Sequence, residues 1–120
     1  MKILIVDDSR AMRLIVMRTL REAGFGHHDF FEASDGLAAF DMLLKDRFDL
    51  ILCDWNMPMM TGEELLMALK NEGINTPFGF VTTEATRAMR EKAVDLGSRF
   101  LISKPFTPAY FENVLSEFLA

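Results

Sequence analysis

Short apolar runs recur along the chain, and segments with a helical repeat separate them. Five runs rich in β-branched and aromatic residues predict strands, at residues 3–6, 30–31, 50–53, 78–81 and 100–102. The first, third and fourth runs are almost continuously apolar. This pattern is typical of strands that are covered on both faces, as in a parallel sheet.

The segments after these runs carry apolar residues at helical spacing and have recognisable start or stop signals. They predict helices over residues 10–23, 36–45 and 86–96, from Thr61 to Gly73, and from Thr107 to Phe118. Thr61 and Glu64 form a capping-box sequence, and Thr107 precedes a proline suited to a first helical turn. Gly24 and Gly97 are suited to end the helices that they follow.

The regular alternation of strands and helices, with short connections, predicts five successive βα units. Right-handed crossovers then give an α/β fold, a doubly wound parallel sheet of five strands with helices on both faces. A chain of 120 residues buries roughly two-thirds of its unfolded surface, which is enough for one core. We therefore expect a single domain over residues 1–120.

Composition and charge exclude several classes of protein. There are 13 Lys and Arg residues against 18 Asp and Glu, for a formal charge of −5, which argues against electrostatic binding of nucleic acid. The longest uncharged stretch, Gly73 to Thr83, is too short to span a membrane. Cys53 is the only cysteine and cannot form an internal disulfide. We expect a cytoplasmic protein that binds neither membrane nor nucleic acid.

Polar residues follow four of the five predicted strands. Asp7 and Asp8 follow the first, Asp54 the third, Thr82 the fourth, and Lys104 lies just after the fifth. In an open parallel sheet the carboxyl ends of all strands share one edge, where ligands bind. Each residue alone has an ordinary explanation as a helix cap or a loop residue. Together they predict one site with three carboxylates, a hydroxyl and an ammonium group.

Three clustered carboxylates need a cation or a raised pKa. Two unit charges about 4 Å apart repel by roughly 4 kcal/mol at an effective dielectric constant of about 20. A hard dication that retains water and takes few carboxylates describes Mg²⁺, whereas the spacings of calcium loops and zinc sites are absent. Mg²⁺ beside an Asp, with Lys and Thr as donors, suits phosphoryl transfer to a carboxylate, which would form an aspartyl phosphate.

At these residues the chain resembles the response regulator receiver domains of two-component signalling, particularly the single-domain CheY-like chemotaxis type. The acidic pair is Asp7-Asp8, and residues 54–62, DWNMPMMTG, match the family pattern D-x-x-M-P-x-M-x-G. Thr82 and the Lys104-Pro105 pair follow at spacings similar to those of the family. The resemblance covers the whole chain and implies the flavodoxin-like strand order 2-1-3-4-5.

The resemblance also implies roles for individual residues. Asp54 would be the phosphoacceptor, and Mg²⁺ would be held by Asp8, Asp54 and the backbone carbonyl of Asn56, with Asp7 acting mostly through a metal-bound water. Thr82 and Lys104 would bind the phosphoryl group. The bond between Lys104 and the following proline is cis in many relatives.

The function implied is that of a phosphoacceptor which catalyses its own phosphorylation and dephosphorylation and turns over no external substrate. The phosphoryl group would come from a histidine kinase or a phosphotransfer protein. The modified protein would signal by contact with a target, and we favour a chemotaxis-type output such as a flagellar switch component. A phosphorelay shuttle and a phosphate sink are the alternatives.

Two positions depart from the family pattern. Leu101 stands where the family usually has Tyr or Phe, whose ring moves inward with the threonine, and alternation should point the neighbouring Phe100 to the other side of the sheet. Thr83 stands where the family usually has a small residue. It and Glu84 could influence the approach of water to the acyl phosphate.

The first predicted helix offers a candidate docking patch. Leu14 and Met17 are expected to point away from the core, between arginines, next to the acidic site. Two exposed apolar side chains there would suit contact with a helix of a histidine kinase.

Two other classes share part of the pattern. A Mg²⁺-dependent phosphohydrolase with an aspartyl-phosphate intermediate needs an acid two residues after its nucleophile, where this chain has Asn56. A flavodoxin-like FMN carrier needs a Ser/Thr/Gly-rich loop after the first strand, where this chain has Asp7-Asp8.

Overall fold

The computed structural model describes residues 1–119 and contains five strands and five α-helices in strict alternation. The strands are β1 Lys2–Val6, β2 Asp29–Ala33, β3 Leu50–Cys53, β4 Phe78–Thr82 and β5 Phe100–Ser103. The helices are α1 Arg10–Leu20, α2 Gly36–Lys45, α3 Gly62–Asn71, α4 Arg87–Leu96 and α5 Pro108–Leu115, and a π-helical segment, Arg21–Phe25, follows α1. The predicted βα units are therefore confirmed.

All five strands are parallel and lie in the order β2-β1-β3-β4-β5, so the predicted fold class and strand order are confirmed. The chain leaves β1 toward β2 on one side and returns to β3 on the other. Val6, the last residue of β1, pairs with Ala33 on one side and Cys53 on the other. The switch in strand order therefore lies between β1 and β3, directly beneath Asp7 and Asp54.

Successive residues of each strand point to opposite faces of the sheet and pack into two hydrophobic cores, one on each face. On one face, Leu4, Ile51 and Phe80 pack with buried residues of α2, α3 and α4. On the other, residues such as Ile3 and Ile102 pack with α1 and α5. This coverage of both faces explains why the central strands are continuously apolar.

Leu101 and Phe100 lie on opposite faces, as alternation predicted. Leu101 belongs to the core beneath α3 and α4, whereas Phe100 packs on the α5 side, where its ring centroid is 5.4 Å from that of Phe118. The Phe100 ring covers Gly79, its partner on β4, at the place where a Cβ would stand. The ring of Phe100 is therefore held away from the face that Leu101 occupies.

Side-chain caps begin the second to fifth helices, and those at Thr61 and Thr107 were predicted from the sequence. Asp35, Thr61, Thr86 and Thr107 each accept a hydrogen bond from a backbone N–H of the first helical turn. Thr61 and Glu64 form the predicted reciprocal capping box.

The predicted helix over residues 10–23 differs from the structure in its last turns. The α-helix ends at Leu20, and the next five residues are π-helical. Gly24 adopts a φ of 96°, a left-handed conformation that favours glycine, so the chain turns out of the helix there. Gly24 therefore ends the helix as predicted. The last turn before it is π-helical and wider than an α-helical turn, which the apolar periodicity did not indicate.

The prediction that Met17 points away from the core is wrong. Its side chain is only 7% exposed and packs with Val16 and Leu20, whereas Leu14 is 50% exposed as predicted. Helix α1 contacts both the sheet and α5, so its buried stripe is wider than one packing face requires. The exposed apolar neighbour of Leu14 is Ile15.

The helices described within residues 1–119 are too short, or insufficiently apolar, to cross a membrane.

Candidate functional site

The carboxyl ends of the strands bring the predicted acidic residues together. Carboxylate oxygens of Asp7, Asp8 and Asp54 all lie within 4.8 Å of one another. Lys104 reaches into this cluster from the end of β5, with its Nζ 3.2 Å from Asp7 Oδ2 and 3.6 Å from Asp54 Oδ2. Within residues 1–119 no other group of three or more His, Cys, Asp or Glu side chains is placed to hold a metal ion.

Asp7 is the buried member of the cluster, and Asp8 is the exposed one. The backbone N–H of Asp7 donates to the Ala33 carbonyl, and its Oδ1 accepts from the N–H of Ser9 at 2.9 Å. Ser9 in turn caps α1. The position of Asp7 is therefore fixed by the end of the sheet and the start of a helix, while Asp8 faces solvent.

Asp54 lies at the centre of the sheet edge, with its side chain mostly buried. Its backbone N–H donates to the Val6 carbonyl, and its Oδ1 accepts from the N–H of Trp55 at 2.8 Å. Burial raises the pKa of the Asp54 carboxyl; Lys104 opposes that shift, and the charge of Asp7 adds to it. The protein groups around Asp54 therefore disfavour a third negative charge in the cluster.

Lys104 and Thr82 lie at the same edge of the sheet, at the ends of β5 and β4. The Lys104 side chain is mostly buried, and its backbone N–H donates to the Thr82 carbonyl at 2.9 Å. The Lys104-Pro105 peptide bond is cis, as the resemblance implied. The Thr82 side chain is buried, and its hydroxyl oxygen accepts from the N–H of Glu84. The Lys104 ammonium group therefore adjoins the carboxylates of Asp7 and Asp54, and the Thr82 hydroxyl lies at the end of the strand that pairs with β3 and β5.

Asn56 and Glu84 connect the two loops that follow β3 and β4. The Asn56 side-chain amide donates to the Glu84 carboxylate, which joins the loop after β3 to the loop after β4. Both side chains are exposed. The loops that follow Asp54 and Thr82 are therefore joined by a hydrogen bond at the protein surface.

The loop after β3 folds back onto Asp54, and sequence reasoning did not find the physical reason. Gly62 N–H donates to the Trp55 carbonyl at 2.8 Å. A Cβ at Gly62 would lie 2.3 Å from the Asp54 carbonyl oxygen and 2.9 Å from the Phe80 ring. The glycine at the end of the motif is therefore required because the start of α3 packs directly on the backbone of Asp54.

Aromatic packing lies beneath the site. The Trp55 ring stacks on Phe80 with centroids 4.1 Å apart, and both belong to the core that contains Leu101. The Leu101 carbonyl accepts from Arg90 Nη1 at 3.2 Å. The absence of an aromatic side chain at residue 101 therefore leaves a buried leucine, tied to α4 through its backbone.

Cys53, directly before Asp54, is fully buried, and its thiol donates to the Asp54 carbonyl. Burial and the neighbouring carboxylates raise its pKa well above the ordinary value. The thiolate that reacts with oxidants or metals is therefore disfavoured, and Cys53 has a packing role.

The donor set fits a hydrated hard dication. It offers carboxylate oxygens from two loops, and the carboxylate of Asp8 is exposed. The set contains neither a thiolate nor an imidazole. Mg²⁺ prefers one or two carboxylates and retains several waters, which the open side at Asp8 permits. The fold and this site define a class of protein: a parallel βα sheet with a carboxylate cluster and a lysine at its switch point.

Comparisons with known proteins identify the family. Residues 3–116 match the model of the response regulator receiver domain. Chemotaxis protein CheY-3 of Vibrio cholerae is 43% identical over 119 residues, which cover 98% of this chain and 90% of that protein. The chain belongs to the response regulator receiver family and is similar to chemotaxis CheY proteins.

Solved structures show the same fold. The structure of the chemotaxis protein CheY4 of Vibrio cholerae has a TM-score of 0.85 and 35% identity, and the match covers 98% of each chain. The receiver domain of the sensor histidine kinase PA1611 from Pseudomonas aeruginosa has a TM-score of 0.83 at 24% identity, over 98% of this chain and 95% of that one. That second structure has a magnesium ion coordinated in its active site cleft.

Proposed function

We propose that this receiver domain accepts a phosphoryl group on Asp54 with the help of Mg²⁺. The observation that carries the proposal is the approach of three carboxylates and one lysine at the switch point, with oxygens within 4.8 Å of one another. Such a cluster carries three negative charges against one positive charge. It is therefore poised to bind a dication and to stabilise the transfer of a phosphoryl group.

Asp8, Asp54 and the Asn56 backbone carbonyl would hold the metal, and Asp7 would act mostly through a metal-bound water. When bound, Mg²⁺ would neutralise the charge that builds up on the phosphoryl oxygens. Support comes from the exposure of Asp8 beside the buried Asp7, which leaves one side of the cluster open to a hydrated ion.

In the transfer step an oxygen of Asp54 attacks phosphorus, the bond from phosphorus to the donor nitrogen breaks, and that nitrogen takes up a proton. Lys104 and Thr82 would then bind the phosphoryl oxygens of the aspartyl phosphate. Lys104 Nζ is already 3.6 Å from Asp54 Oδ2. Attack of water on phosphorus would release inorganic phosphate and restore the carboxylate.

The donor would be a phosphohistidine on a histidine kinase or a phosphotransfer protein. The similarity to chemotaxis CheY proteins supports a chemotaxis-type output, in which the modified domain binds a target such as a flagellar switch component. Shuttling in a phosphorelay and service as a phosphate sink are the alternatives within the same family. A phosphohydrolase is not favoured, because the position two residues after Asp54 holds an amide, Asn56, that donates to Glu84.

The experiment is incubation with acetyl phosphate and Mg²⁺, followed by mass analysis of the intact protein and of its peptides. We expect one alkali-labile adduct of a phosphoryl group on the peptide with Asp54, which Asp54→Asn abolishes. Asp95→Asn, an exposed aspartate on α4, is the matched control and should be labelled like the wild type. An adduct that persists in Asp54→Asn, or no adduct on the wild type, would overturn the proposal.

A further inference from the structure

We propose that Arg13 and Glu32 form a brace that positions the Asp7–Asp8 peptide, and that this brace sets the affinity of the site for Mg²⁺. The inference rests on the proposed function, because it assigns two positioning residues to the same metal site. The two hydrogen bonds of the brace join Arg13 to Glu32 and to the Asp7 backbone carbonyl. Neither bond involves one of the three carboxylates of the site.

Arg13 connects three elements with one side chain. Its Nη1 donates to the Asp7 backbone carbonyl at 2.6 Å, and its Nε donates to Glu32 Oε1 at 2.9 Å. Arg13 lies on α1, Glu32 on β2, and Asp7 directly after the end of β1. The Arg13 side chain is 13% exposed, whereas most surface arginines keep their guanidinium group in water. This arginine is therefore ordered by its two partners.

The carbonyl that Arg13 binds is the one that leads into Asp8. Parallel pairing of β1 ends at Val6 on both of its neighbours, so the Asp7 carbonyl lies beyond the ladder. A buried carbonyl without a partner is costly, and the guanidinium group supplies one. Because the peptide plane joins the Asp7 carbonyl to the Asp8 nitrogen, fixing one end of this plane restricts where the Asp8 carboxylate can stand.

Asp8 needs such a restraint because its own side chain is exposed. The Asp7 carboxylate is already fixed by Ser9 and Lys104, and the Asp54 carboxylate by Trp55 and Lys104. The hydrogen bonds described for the site do not include one to the Asp8 carboxylate. The brace therefore acts on the least restrained of the three candidate ligands, through its backbone.

Glu32 orients the guanidinium group and balances its charge. The planar guanidinium group of Arg has several N–H donors and can bind a carbonyl and a carboxylate at the same time. The ammonium group of Lys is a single compact charge and does not offer this geometry. Outer groups that orient metal ligands commonly change metal affinity by about 10–100-fold when they are removed. We expect Arg13→Ala and Arg13→Lys to weaken Mg²⁺ binding by about tenfold, and Glu32→Gln, which keeps an acceptor oxygen, to weaken it less.

The experiment is a titration of the unphosphorylated protein with Mg²⁺ alone. Binding is measured by isothermal calorimetry and by the change in Trp55 fluorescence. Arg10→Ala is the matched control, because it removes one positive charge from the exposed first turn of the same helix without breaking the brace. Urea unfolding in EDTA, followed by circular dichroism, tests whether each variant is folded. If Arg13→Ala does not fold, Arg13→Lys and Glu32→Gln carry the test.

The outcomes separate the inference from the proposed function. Both Arg13 variants should bind Mg²⁺ more weakly than Arg10→Ala, and saturating Mg²⁺ should restore their rate of labelling by acetyl phosphate. If Arg13→Lys binds Mg²⁺ with wild-type affinity, charge alone matters and the brace is overturned. Equal losses of Mg²⁺ affinity in Arg13→Ala and Arg10→Ala would also overturn it. A wild type that does not bind Mg²⁺ would instead overturn the proposed function.

Discussion

Replacement of Asp54 by Asn should stabilise the metal-free protein, because it removes one charge from a crowded anionic cluster. The carboxylate oxygens of Asp7, Asp8 and Asp54 lie within 4.8 Å of one another. At about that distance and an effective dielectric constant of about 20, each pair repels by about 3.5 kcal/mol. Lys104 Nζ, 3.6 Å from Asp54 Oδ2, attracts that carboxylate, by about 4.6 kcal/mol on the same scale.

The substitution therefore removes two repulsions and one attraction. The difference favours the Asn variant by about 2.4 kcal/mol, and solvent screening at the exposed Asp8 reduces this to about 1–2 kcal/mol. The Asn amide also requires less desolvation than a carboxylate at this buried position.

The pH dependence has a definite sign. Burial, with the charge of Asp7, raises the Asp54 pKa above its ordinary value of 3.8. The stability that protonated Asp54 contributes is complete below 3.8 and is lost as the pH rises through the raised pKa. Asn does not titrate. The advantage of Asp54→Asn should therefore be full at pH 7 and should disappear in acid.

The assay is urea unfolding in EDTA at a series of pH values. The fluorescence of the buried Trp55 reports the unfolding and gives the free energy of unfolding of each variant. Asp95→Asn, on the exposed face of α4, controls for the loss of one negative charge. Added Mg²⁺ should reduce or reverse the advantage of Asp54→Asn, because the dication stabilises the wild type by binding to it. An Asn variant that is equal to or less stable than the wild type in EDTA at pH 7 would refute the electrostatic account.

Two further substitutions test the loop after β3. Gly62→Ala should destabilise the protein by about 2 kcal/mol, and should slow labelling by acetyl phosphate, because its Cβ would meet the Asp54 carbonyl at 2.3 Å; unchanged urea midpoints and labelling rates would contradict this. Met59 has a φ of 71° and is 76% exposed. Met59→Asn should therefore raise the free energy of unfolding by about 0.5–1 kcal/mol, since Asn tolerates the left-handed region, and a lower urea midpoint would contradict this explanation.

The convergence of Asp7, Asp8, Asp54 and Lys104 was predictable from the sequence for a simple reason. Each follows a strand, and parallel strands end at one edge, so only the order of the strands had to be known. The caps of α3 and α5 were equally accessible, because a residue such as Thr107 acts on its own first turn.

Other features depend on how elements are placed against one another. Met17 was assigned to the surface because the sequence does not show that α5 packs beside α1. The reach of Arg13 to the Asp7 carbonyl depends on the rotation of α1 over the end of β1, which the sequence does not show. The requirement for Gly62 becomes clear only when the Asp54 backbone is seen beside it.

The central claim is that the acidic cluster binds one Mg²⁺ ion, and its most direct test is calorimetric titration of the wild type and of Asp8→Ala with MgCl₂ at neutral pH. Asp8 is exposed, so its replacement should leave the fold intact. We predict one saturable site in the wild type and in the Asp95→Asn control, and a loss of at least about tenfold in affinity for Asp8→Ala. Equal affinities for the wild type and Asp8→Ala would contradict the account.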